Sequence, residues 1–265
     1  MKVGVFDSGL GGLTVVSAIS DIFKGADIFY VADTMHAPYG EKTQEQILKR
    51  SIEITEFLIN KHQISALIVA CNTATSAAIK SLREKFNNLI IIGTEPGVKP
   101  AIESTKTNYI GILATPATLK GDKYQLLINE LFESKEVKLI EQACPGLVEQ
   151  IEKGEISSAL TKSMLKSWLK PMIEKNADTI VLGCTHYPLV QELIKEIMQY
   201  DITLIQTGLA IARRLEDLSI KKGHINEGSL GILIYATDKI NENMIKKIFE
   251  NSEYKNKITI RKYKI

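Results

Sequence analysis

Two of the chain's three cysteines end apolar segments in the same way. Residues 66–70 lead into the first thiol, and residues 179–183 lead into the second. Hydrogen-bonding residues follow each one directly: Cys71-Asn72-Thr73 and Cys184-Thr185-His186. A thiol between a buried strand and a helix N-terminus is well placed to ionise, because the helix dipole stabilises the thiolate. The pattern predicts a matched pair of acid/base thiols.

Two thiols on opposite faces of one carboxylate-bearing substrate suit inversion at carbon. One thiolate takes the α-proton, and the opposite thiol delivers a proton to the other face. An α-proton beside a carboxylate is very weakly acidic, so the site must stabilise carbanion character by desolvation and aimed hydrogen bonds. Asp7 is the candidate assistant of Cys71, and His186 is the candidate assistant of Cys184.

Structural interpretations compete with this one. A single cysteine at a strand end is usually a small buried residue, and Cys144, which precedes Pro145 and has no matched partner, keeps that interpretation. A zinc site made of Cys71, Cys184 and His186 is conceivable. The chain lacks the CxxC and HExxH spacings of zinc sites, however, and no metal is expected.

Two aspartates and a glycine-rich segment also have structural alternatives. Asp7 and Asp33 each follow an apolar run and could serve as helix N-caps, which is the preferred interpretation for Asp33. Residues 9–12 are rich in glycine but lack the patterns of a phosphate-binding loop. They predict a tight turn close to the ligand.

Strands must position these residues. The runs that predict strands are apolar on both faces, as is typical of parallel strands covered by helices. They lie near residues 2–6, 27–32, 65–70, 89–93, 108–113, 137–142, 178–183, 202–205, 230–235 and 258–262. Strands that alternate with helices predict an α/β architecture, in which ligands bind beyond the carboxyl ends of the strands. Small hydroxyl, amide and thiol residues follow the runs, without Arg or Lys, which disfavours a phosphate or nucleotide ligand.

Two helices have clear apolar stripes. Thr43 and Gln46 have the spacing of a capping box. The predicted buried face after them is Ile47, Leu48, Ile52, Thr55, Leu58 and Ile59. A second stripe consists of Leu160, Met164, Trp168 and Met172, and Pro171 is expected to kink or end that helix.

A faint internal repeat organises the chain. Residues 3–9 resemble residues 110–116, and a cysteine-ending run follows each segment at a similar distance. The repeat predicts two similar parallel-sheet α/β domains in a pseudo-twofold arrangement, with the active site between them. The expected domains are residues 1–97 with 207–265, and residues 98–206.

Composition limits the class of protein. The chain has 265 residues, 45% hydrophobic and 24% charged, with a net charge of +2, which is ordinary for a globular protein. No nucleic-acid or membrane partner is expected, since the net charge is small and no apolar run reaches the length of a membrane span. The N-terminus enters a strand without a signal peptide, so a cytoplasmic location without disulfides is expected.

Several motifs occur together in the order of a known family. They are Phe6-Asp7-Ser8-Gly9, Asp33-Thr34, Pro38-Tyr39-Gly40, Cys71-Asn72-Thr73, Glu95-Pro96-Gly97, Ala114-Thr115 with Thr118, Cys144-Pro145 with Glu152, and Cys184-Thr185-His186-Tyr187-Pro188. On these motifs the chain resembles the cofactor-independent glutamate racemases of the aspartate/glutamate racemase superfamily.

The resemblance implies roles for individual residues. Cys71 and Cys184 correspond to the catalytic acid/bases, Asp7 and His186 to their assistants, and Glu152 to a further polar group near Cys184. The implied binders of the substrate carboxylates and ammonium are Asp7, Ser8, Tyr39, Gly40, Asn72, Thr73, Thr115, Thr118, Thr185 and His186. The resemblance also implies a homodimer that acts on glutamate without a cofactor and supplies D-glutamate for peptidoglycan.

The chain departs from the family pattern at two places. Glu149-Gln150-Ile151-Glu152 stands where Pro-Leu-Ile-Glu is common, and Gln206-Thr207 stands where an Asp-Ser pair is usual. The alternatives are an aspartate racemase, a relative that acts on another small carboxylate, and a non-enzymatic amino-acid-binding protein. The intact thiol pair argues against the last two, because superfamily relatives with other activities often keep only one thiol in its role and because binding alone does not require two sulfurs.

Overall fold

The computed structural model describes residues 1–132, 137–228 and 230–265. The chain forms two compact units, one made of Met1–Thr94 with Gly208–Ile265 and the other of Glu95–Thr207. Every apolar run that predicts a strand forms one, with bounds within one residue of those expected. All strand pairs are parallel, so the predicted α/β class with parallel sheets is confirmed.

The first unit contains a parallel sheet in the strand order β10-β9-β2-β1-β3-β4. Its strands are β1 (Lys2–Asp7), β2 (Asp27–Ala32), β3 (Ala66–Val69), β4 (Ile90–Gly93), β9 (Gly231–Ala236) and β10 (Ile258–Lys262). Its helices are α1 (Leu13–Ile22), α2 (Gln44–His62), α3 (Asn72–Lys85), α10 (Gly208–Lys221) and α11 (Glu242–Ile248). All four residues of β3 are buried, as expected of a strand that is covered on both faces.

Helix α2 begins at the predicted capping box. The Thr43 side chain accepts the Gln46 backbone N–H, and the Gln46 side chain accepts the Thr43 backbone N–H. The fully buried face is Ile47, Arg50, Ser51, Ile54, Thr55 and Leu58, and the expected Leu48, Ile52 and Ile59 are partly buried. The sequence pattern did not predict the burial of Arg50, whose side chain pairs with Asp33.

The second unit contains a parallel sheet in the order β6-β5-β7-β8. Its strands are β5 (Tyr109–Ala114), β6 (Lys138–Ala143), β7 (Thr179–Gly183) and β8 (Thr203–Ile205). Its helices are α4 (Val98–Ser104), α5 (Pro116–Lys120), α6 (Asp122–Phe132), α7 (Leu147–Lys153), α8 (Ala159–Glu174) and α9 (Gln191–Met198).

Helix α8 corrects the predicted apolar stripe. Leu160 is 57% exposed, so it does not belong to the buried stripe. The buried residues are Thr161, Leu165, Leu169 and Met172, so the helix turns a neighbouring face inward. Pro171, which was expected to kink or end this helix, does not end it, since the helix continues to Glu174.

The two sheets share a topology. The order β2-β1-β3-β4 within the first matches the order β6-β5-β7-β8 in the second. Strand β3 therefore corresponds to β7, and Cys71 and Cys184 follow equivalent strands at their carboxyl ends. The sequence repeat thus reflects a repeated sheet order.

Among the described residues, no helix is both long enough and apolar enough to span a membrane.

Candidate active site

Cys71 caps a helix in the first unit. It stands in an extended conformation directly before α3, and its Sγ accepts the Ala74 backbone N–H at 3.5 Å. The side chain is almost fully buried. Backbone N–H groups at a helix N-terminus stabilise a thiolate, so the predicted relation between thiol and helix is confirmed here.

Asp7 ends β1, the neighbour of the Cys71 strand. Its buried carboxylate accepts the Ser8 N–H at 2.7 Å and the Gly12 N–H at 2.6 Å. Gly12, rather than Asp7, occupies the N-cap position of α1. A Cβ on Gly12 would lie 2.8 Å from the Asp7 Cβ and 3.0 Å from the Ala70 Cβ, so only glycine fits between these strand ends.

Polar residues predicted as binders surround this strand end. Ser8, Asn72 and Thr73 are all buried beside Asp7 and Cys71 in the chain. Asn72 is the first residue of α3, and within the described residues its Nδ2 has no hydrogen-bond partner. A buried amide N–H₂ needs an acceptor, and a ligand carboxylate could supply one.

Asp33 does not act as the expected helix cap. It precedes a 3-10 turn at Thr34–His36, but its side chain makes no capping hydrogen bond. Its fully buried carboxylate instead accepts Arg50 Nε and Nη2, each at 2.8 Å. Burial alone would raise the pKa of Asp33, but the hydrogen bonds from Arg50 and Tyr39 outweigh it and lower the pKa below its usual value.

Tyr39 and Gly40 belong to a second 3-10 turn, Tyr39–Glu41. The buried Tyr39 hydroxyl donates to Asp33 Oδ2 at 2.7 Å, and burial together with the Asp33 charge raises the pKa of Tyr39 well above its usual value. Gly40 faces open space, because a Cβ there would meet no atom within 4 Å. Tyr39 thus presents its hydroxyl to Asp33 and its backbone turn to the surface.

Cys184 has a different setting in the second unit. It follows β7, and Thr185, also buried, comes next. The helix expected at Pro188 begins later: a 3-10 turn occupies Tyr187–Val190 before α9 starts at Gln191. The prediction that an α-helix N-terminus supports this thiol is therefore wrong, because two residues of irregular backbone and a short 3-10 turn intervene.

A histidine and a glutamate support Cys184 instead. The Sγ of Cys184 lies 3.7 Å from His186 Nδ1, and His186 Nε2 lies 2.6 Å from Glu152 Oε1. Burial alone would lower the pKa of His186, but the hydrogen bonds to Cys184 and Glu152 raise it well above its usual value. The imidazole thus lies between the Glu152 carboxylate and the Cys184 sulfur, and its raised pKa favours the imidazolium form.

Helix α7 brings Glu152 to this site. Gly146 precedes the helix with φ 81°, a left-handed conformation that glycine adopts without strain, and Gly154 ends it with φ 84°. Glu152 is 34 residues from His186 in the chain, so only the fold joins them. Its proximity to the Cys184 side agrees with what the family resemblance implied.

The third thiol, Cys144, is not placed to act as a base. Cys144 follows β6, and its Sγ donates to the Gln142 carbonyl at 3.5 Å. Burial raises the pKa of Cys144 to about 12, so it stays a thiol near neutral pH. The neighbouring buried Tyr187 donates its hydroxyl to the Cys144 carbonyl at 3.5 Å.

Thr115 and Thr118 meet after β5. The two hydroxyl oxygens are 2.9 Å apart, and Thr115 Oγ1 accepts the Thr118 N–H at 3.2 Å as the N-cap of α5. These threonines form a local capping pair whose hydroxyls lie at the carboxyl edge of the second sheet. Across the part of the chain that the structure describes, no cluster of three or more His, Cys, Asp or Glu side chains is arranged to hold a metal ion.

Both sheets carry a cysteine with hydrogen-bonding neighbours at the carboxyl end of an equivalent strand, an arrangement that suits proton transfer. Comparisons with known proteins make this specific. A sequence profile described as Asp/Glu/Hydantoin racemase matches residues 10–215. The chain belongs to the Asp/Glu/hydantoin racemase family, and it is an enzyme of the amino-acid racemase class.

Individual relatives are similar over nearly the whole chain. The glutamate racemase of Aliarcobacter butzleri is 63% identical over 265 residues, which covers 100% of both chains. The crystal structure of Escherichia coli glutamate racemase in complex with L-glutamate and activator UDP-MurNAc-ala has a TM-score of 0.85 at 28% identity, covering 99% of this chain and 98% of that one. The glutamate racemase of Francisella tularensis in complex with D-glutamate has a TM-score of 0.82 at 28% identity, covering 99% and 97%.

Proposed function

We propose that this protein is a glutamate racemase that interconverts L- and D-glutamate. The 63% identity to a relative of that name over the full chain supports the proposal. Two structural neighbours named as glutamate racemases are in complex with L-glutamate and with D-glutamate. A racemase must hold both enantiomers, and these neighbours between them do so.

The proposed chemistry uses the two matched thiols. Cys71 and Cys184 follow equivalent strands of two sheets with the same strand order, and this observation carries the proposal. The thiolate of one cysteine takes the α-proton and becomes a thiol. The thiol of the other gives its proton to the opposite face of the α-carbon and becomes a thiolate. The enzyme therefore ends one turnover in the complementary protonation state, ready for the reverse direction.

Because the α-proton is weakly acidic, the surroundings must stabilise the negative charge that develops on the α-carbon and carboxylate. Buried donors that are already aimed at the substrate stabilise developing negative charge without reorganisation. Asn72 Nδ2, which lacks a partner within the described residues, is proposed to donate to the substrate carboxylate. The implied contacts of Ser8, Tyr39, Gly40, Thr73, Thr115, Thr118 and Thr185 belong to the same proposal.

The assistants of the two thiols are proposed to differ. Glu152 and His186 are proposed to act as a charged relay that assists proton transfer at Cys184, and this is supported by the Glu152–His186 distance of 2.6 Å and the His186–Cys184 distance of 3.7 Å. Asp7 is proposed to assist Cys71 and to attract the substrate ammonium, since its carboxylate is buried and fixed by two backbone N–H groups.

The biological setting is also a proposal. We infer a cytoplasmic homodimer that works without a metal or pyridoxal cofactor and supplies D-glutamate for peptidoglycan. Light scattering tests the dimer. Unchanged activity after dialysis against EDTA, together with the absence of pyridoxal absorbance in the active protein, tests the independence from cofactors.

A circular-dichroism assay tests the substrate assignment. L-Glutamate and L-aspartate are incubated with the enzyme in parallel, and loss of optical rotation is followed. We expect L-glutamate to racemise and L-aspartate to react far more slowly. Faster loss with aspartate would assign the chain to aspartate racemisation, and no loss with either would remove the proposal.

A further inference from the structure

The carboxylate of Asp33 is the centre of a buried polar network in the first unit. Besides Arg50 and Tyr39, it accepts the Thr237 hydroxyl at 3.1 Å and contacts His36 Nδ1 at 3.1 Å. Asp33 is fully buried, and a buried carboxylate is costly unless a cation and hydrogen bonds compensate it. Arg50 meets this need with two donors in the bidentate geometry that a lysine cannot reproduce.

This network fixes the segment between β2 and α2. The Met35 N–H donates to Thr237 Oγ1 at 2.9 Å, and the Asp238 N–H donates to Thr34 Oγ1 at 2.8 Å. Further along the segment, Tyr39 is held through its hydroxyl bond to Asp33. The segment is therefore anchored at Thr34, Met35 and Tyr39.

The same network reaches the proposed catalytic residues. Tyr39 and Cys71 belong to one buried cluster, and the 3-10 turn of Tyr39 packs against α3, the helix that Cys71 caps. The Asp33 backbone N–H also donates to the Asp7 carbonyl at 3.0 Å. Any shift of Asp33 would be felt by the residues on both sides of this strand edge.

We propose that Arg50 is a positioning residue for the Cys71 half of the reaction: it holds the Asp33 carboxylate in place, and Asp33 in turn holds Tyr39 and the Tyr39–Gly40 turn against Cys71. Arg50 touches no reacting atom in this account. The inference rests on the proposed racemase function.

The experiment must distinguish the two halves. L- and D-glutamate have equal free energies, so kcat/KM is the same in both directions for any variant. Deuterium isotope effects measured with α-deuterated L- and D-glutamate are not bound by this equality. A variant that slows proton transfer at one cysteine raises the isotope effect for the enantiomer from which that cysteine takes the proton.

Arg50→Met is the main variant. We expect kcat to fall about 10- to 100-fold, since small displacements near the reacting groups have effects of this size. We expect the ratio of the two isotope effects to change by about twofold or more. Glu152→Gln, which perturbs the Cys184 half, should change the ratio in the opposite sense. Arg50→Lys keeps the positive charge but cannot donate two parallel hydrogen bonds to Asp33, so it should recover only part of the activity.

Two further variants separate positioning from stability. Tyr39→Phe keeps the Arg50–Asp33 pair and should shift the ratio of the two isotope effects in the same sense as Arg50→Met. If Arg50→Met does not fold, the result for Tyr39→Phe tests the positioning role. Ile54→Ala leaves a cavity one turn along the buried face of the same helix. It should lower the midpoint of thermal unfolding and leave the ratio unchanged.

The outcomes are distinct. If wild-type enzyme racemises glutamate while Arg50→Met and Tyr39→Phe keep the wild-type ratio, or shift it as Glu152→Gln does, the positioning role is overturned. If wild-type enzyme racemises neither enantiomer, the proposed function fails instead.

Discussion

The two units share a sheet order but support their thiols by different means. Cys71 stands directly at the N-terminus of α3, a 14-residue helix, and its sulfur accepts a backbone N–H. Cys184 is separated from α9 by a 3-10 turn, and its sulfur faces a histidine held by a glutamate. Where the helix starts at the thiol, backbone dipoles are available. Where the helix starts later, a charged side chain takes their place.

The other strand ends differ as well. Strand β1 ends in a buried aspartate, whereas the equivalent β5 is followed by the Thr115–Thr118 pair. Strand β2 leads to Asp33 with its arginine, whereas β6 leads to the uncharged Cys144. The repeat therefore preserves the position of the thiol and little of its electrostatic surroundings. In the proposed mechanism, the Cys71 side acts through fixed backbone dipoles, and the Cys184 side acts through His186 and Glu152, which can gain or lose a proton.

The largest expected effect comes from the thiols themselves. Cys71→Ser and Cys184→Ser should each reduce racemisation by about 10³-fold, within the range of a positioned acid/base group, because a hydroxyl is far less acidic than a thiol. The circular-dichroism assay measures turnover, and thermal unfolding checks that both variants are folded. Substantial activity in either variant would break the two-thiol comparison.

Glu152→Gln sharpens the description of the Cys184 half. We expect turnover to fall about 10²-fold, at the low end of the range for groups that assist proton transfer. The matched control is Glu155→Gln, an exposed carboxylate just beyond the same helix, which should behave as wild type. Equal effects of the two substitutions would show that the relay is unimportant.

The same variant has a signature in the pH dependence of stability. The pKa of folded His186 is raised above its usual value of 6.5, so its contribution is fully present below that value. The contribution is lost as the pH rises through the raised pKa of the folded state. The melting temperature of the wild type should therefore fall more than that of Glu152→Gln as the pH increases from about 6, the usual range of histidine. If the melting temperatures of both proteins changed with pH by the same amount, the charged relay of Glu152 and His186 would be contradicted.

Gly12→Ala tests the support of the other half. The new methyl group would lie 2.8 Å from the Asp7 Cβ and 2.9 Å from the Tyr30 hydroxyl, closer than real contacts allow. We expect a destabilisation of about 1–3 kcal/mol, as is typical of overpacking, measured by urea unfolding. Gly231→Ala is the control, since its Cβ would have its nearest neighbour, Asp27 Oδ1, at 3.8 Å. A neutral Gly12→Ala would mean that Asp7 is less closely fixed than described.

The smallest effect is expected for the third cysteine. Cys144→Ala should change turnover less than about threefold, because a thiol with a pKa near 12 does not act as a base at neutral pH. The assay is the same as for the other cysteines. A loss comparable to that of Cys71→Ser would move Cys144 into the catalytic machinery.

The sequence predicted those features that depend on neighbouring residues. The strands, the capping box of Thr43 with Gln46 and the two matched thiols all follow from local pattern and spacing. The face of α8 was off by one residue because apolar residues occur on adjacent helical positions, and exposed Leu160 fits the stripe as well as buried Leu165.

The features that were missed depend on packing between distant segments. Asp33 and Arg50 are 17 residues apart, and no local signal links a strand-end aspartate to an arginine in the middle of a helix. Glu152 was identified by family resemblance rather than by the residues alone, since it is 34 residues from its partner His186. The late start of α9 was missed because Pro188 suits the first turn of an α-helix and of a 3-10 turn equally.

The central claim is that two different thiols serve the two faces of one α-carbon. Incubation of L-glutamate, and separately of D-glutamate, in heavy water tests it directly, with the enantiomers separated by chiral chromatography and the α-hydrogen content of each measured by NMR. The account predicts that solvent deuterium enters the product enantiomer at the rate of racemisation, while the remaining substrate is unlabelled at early times. Deuterium that enters the substrate as fast as the product would indicate a single base, and no deuterium in either enantiomer would contradict proton transfer altogether.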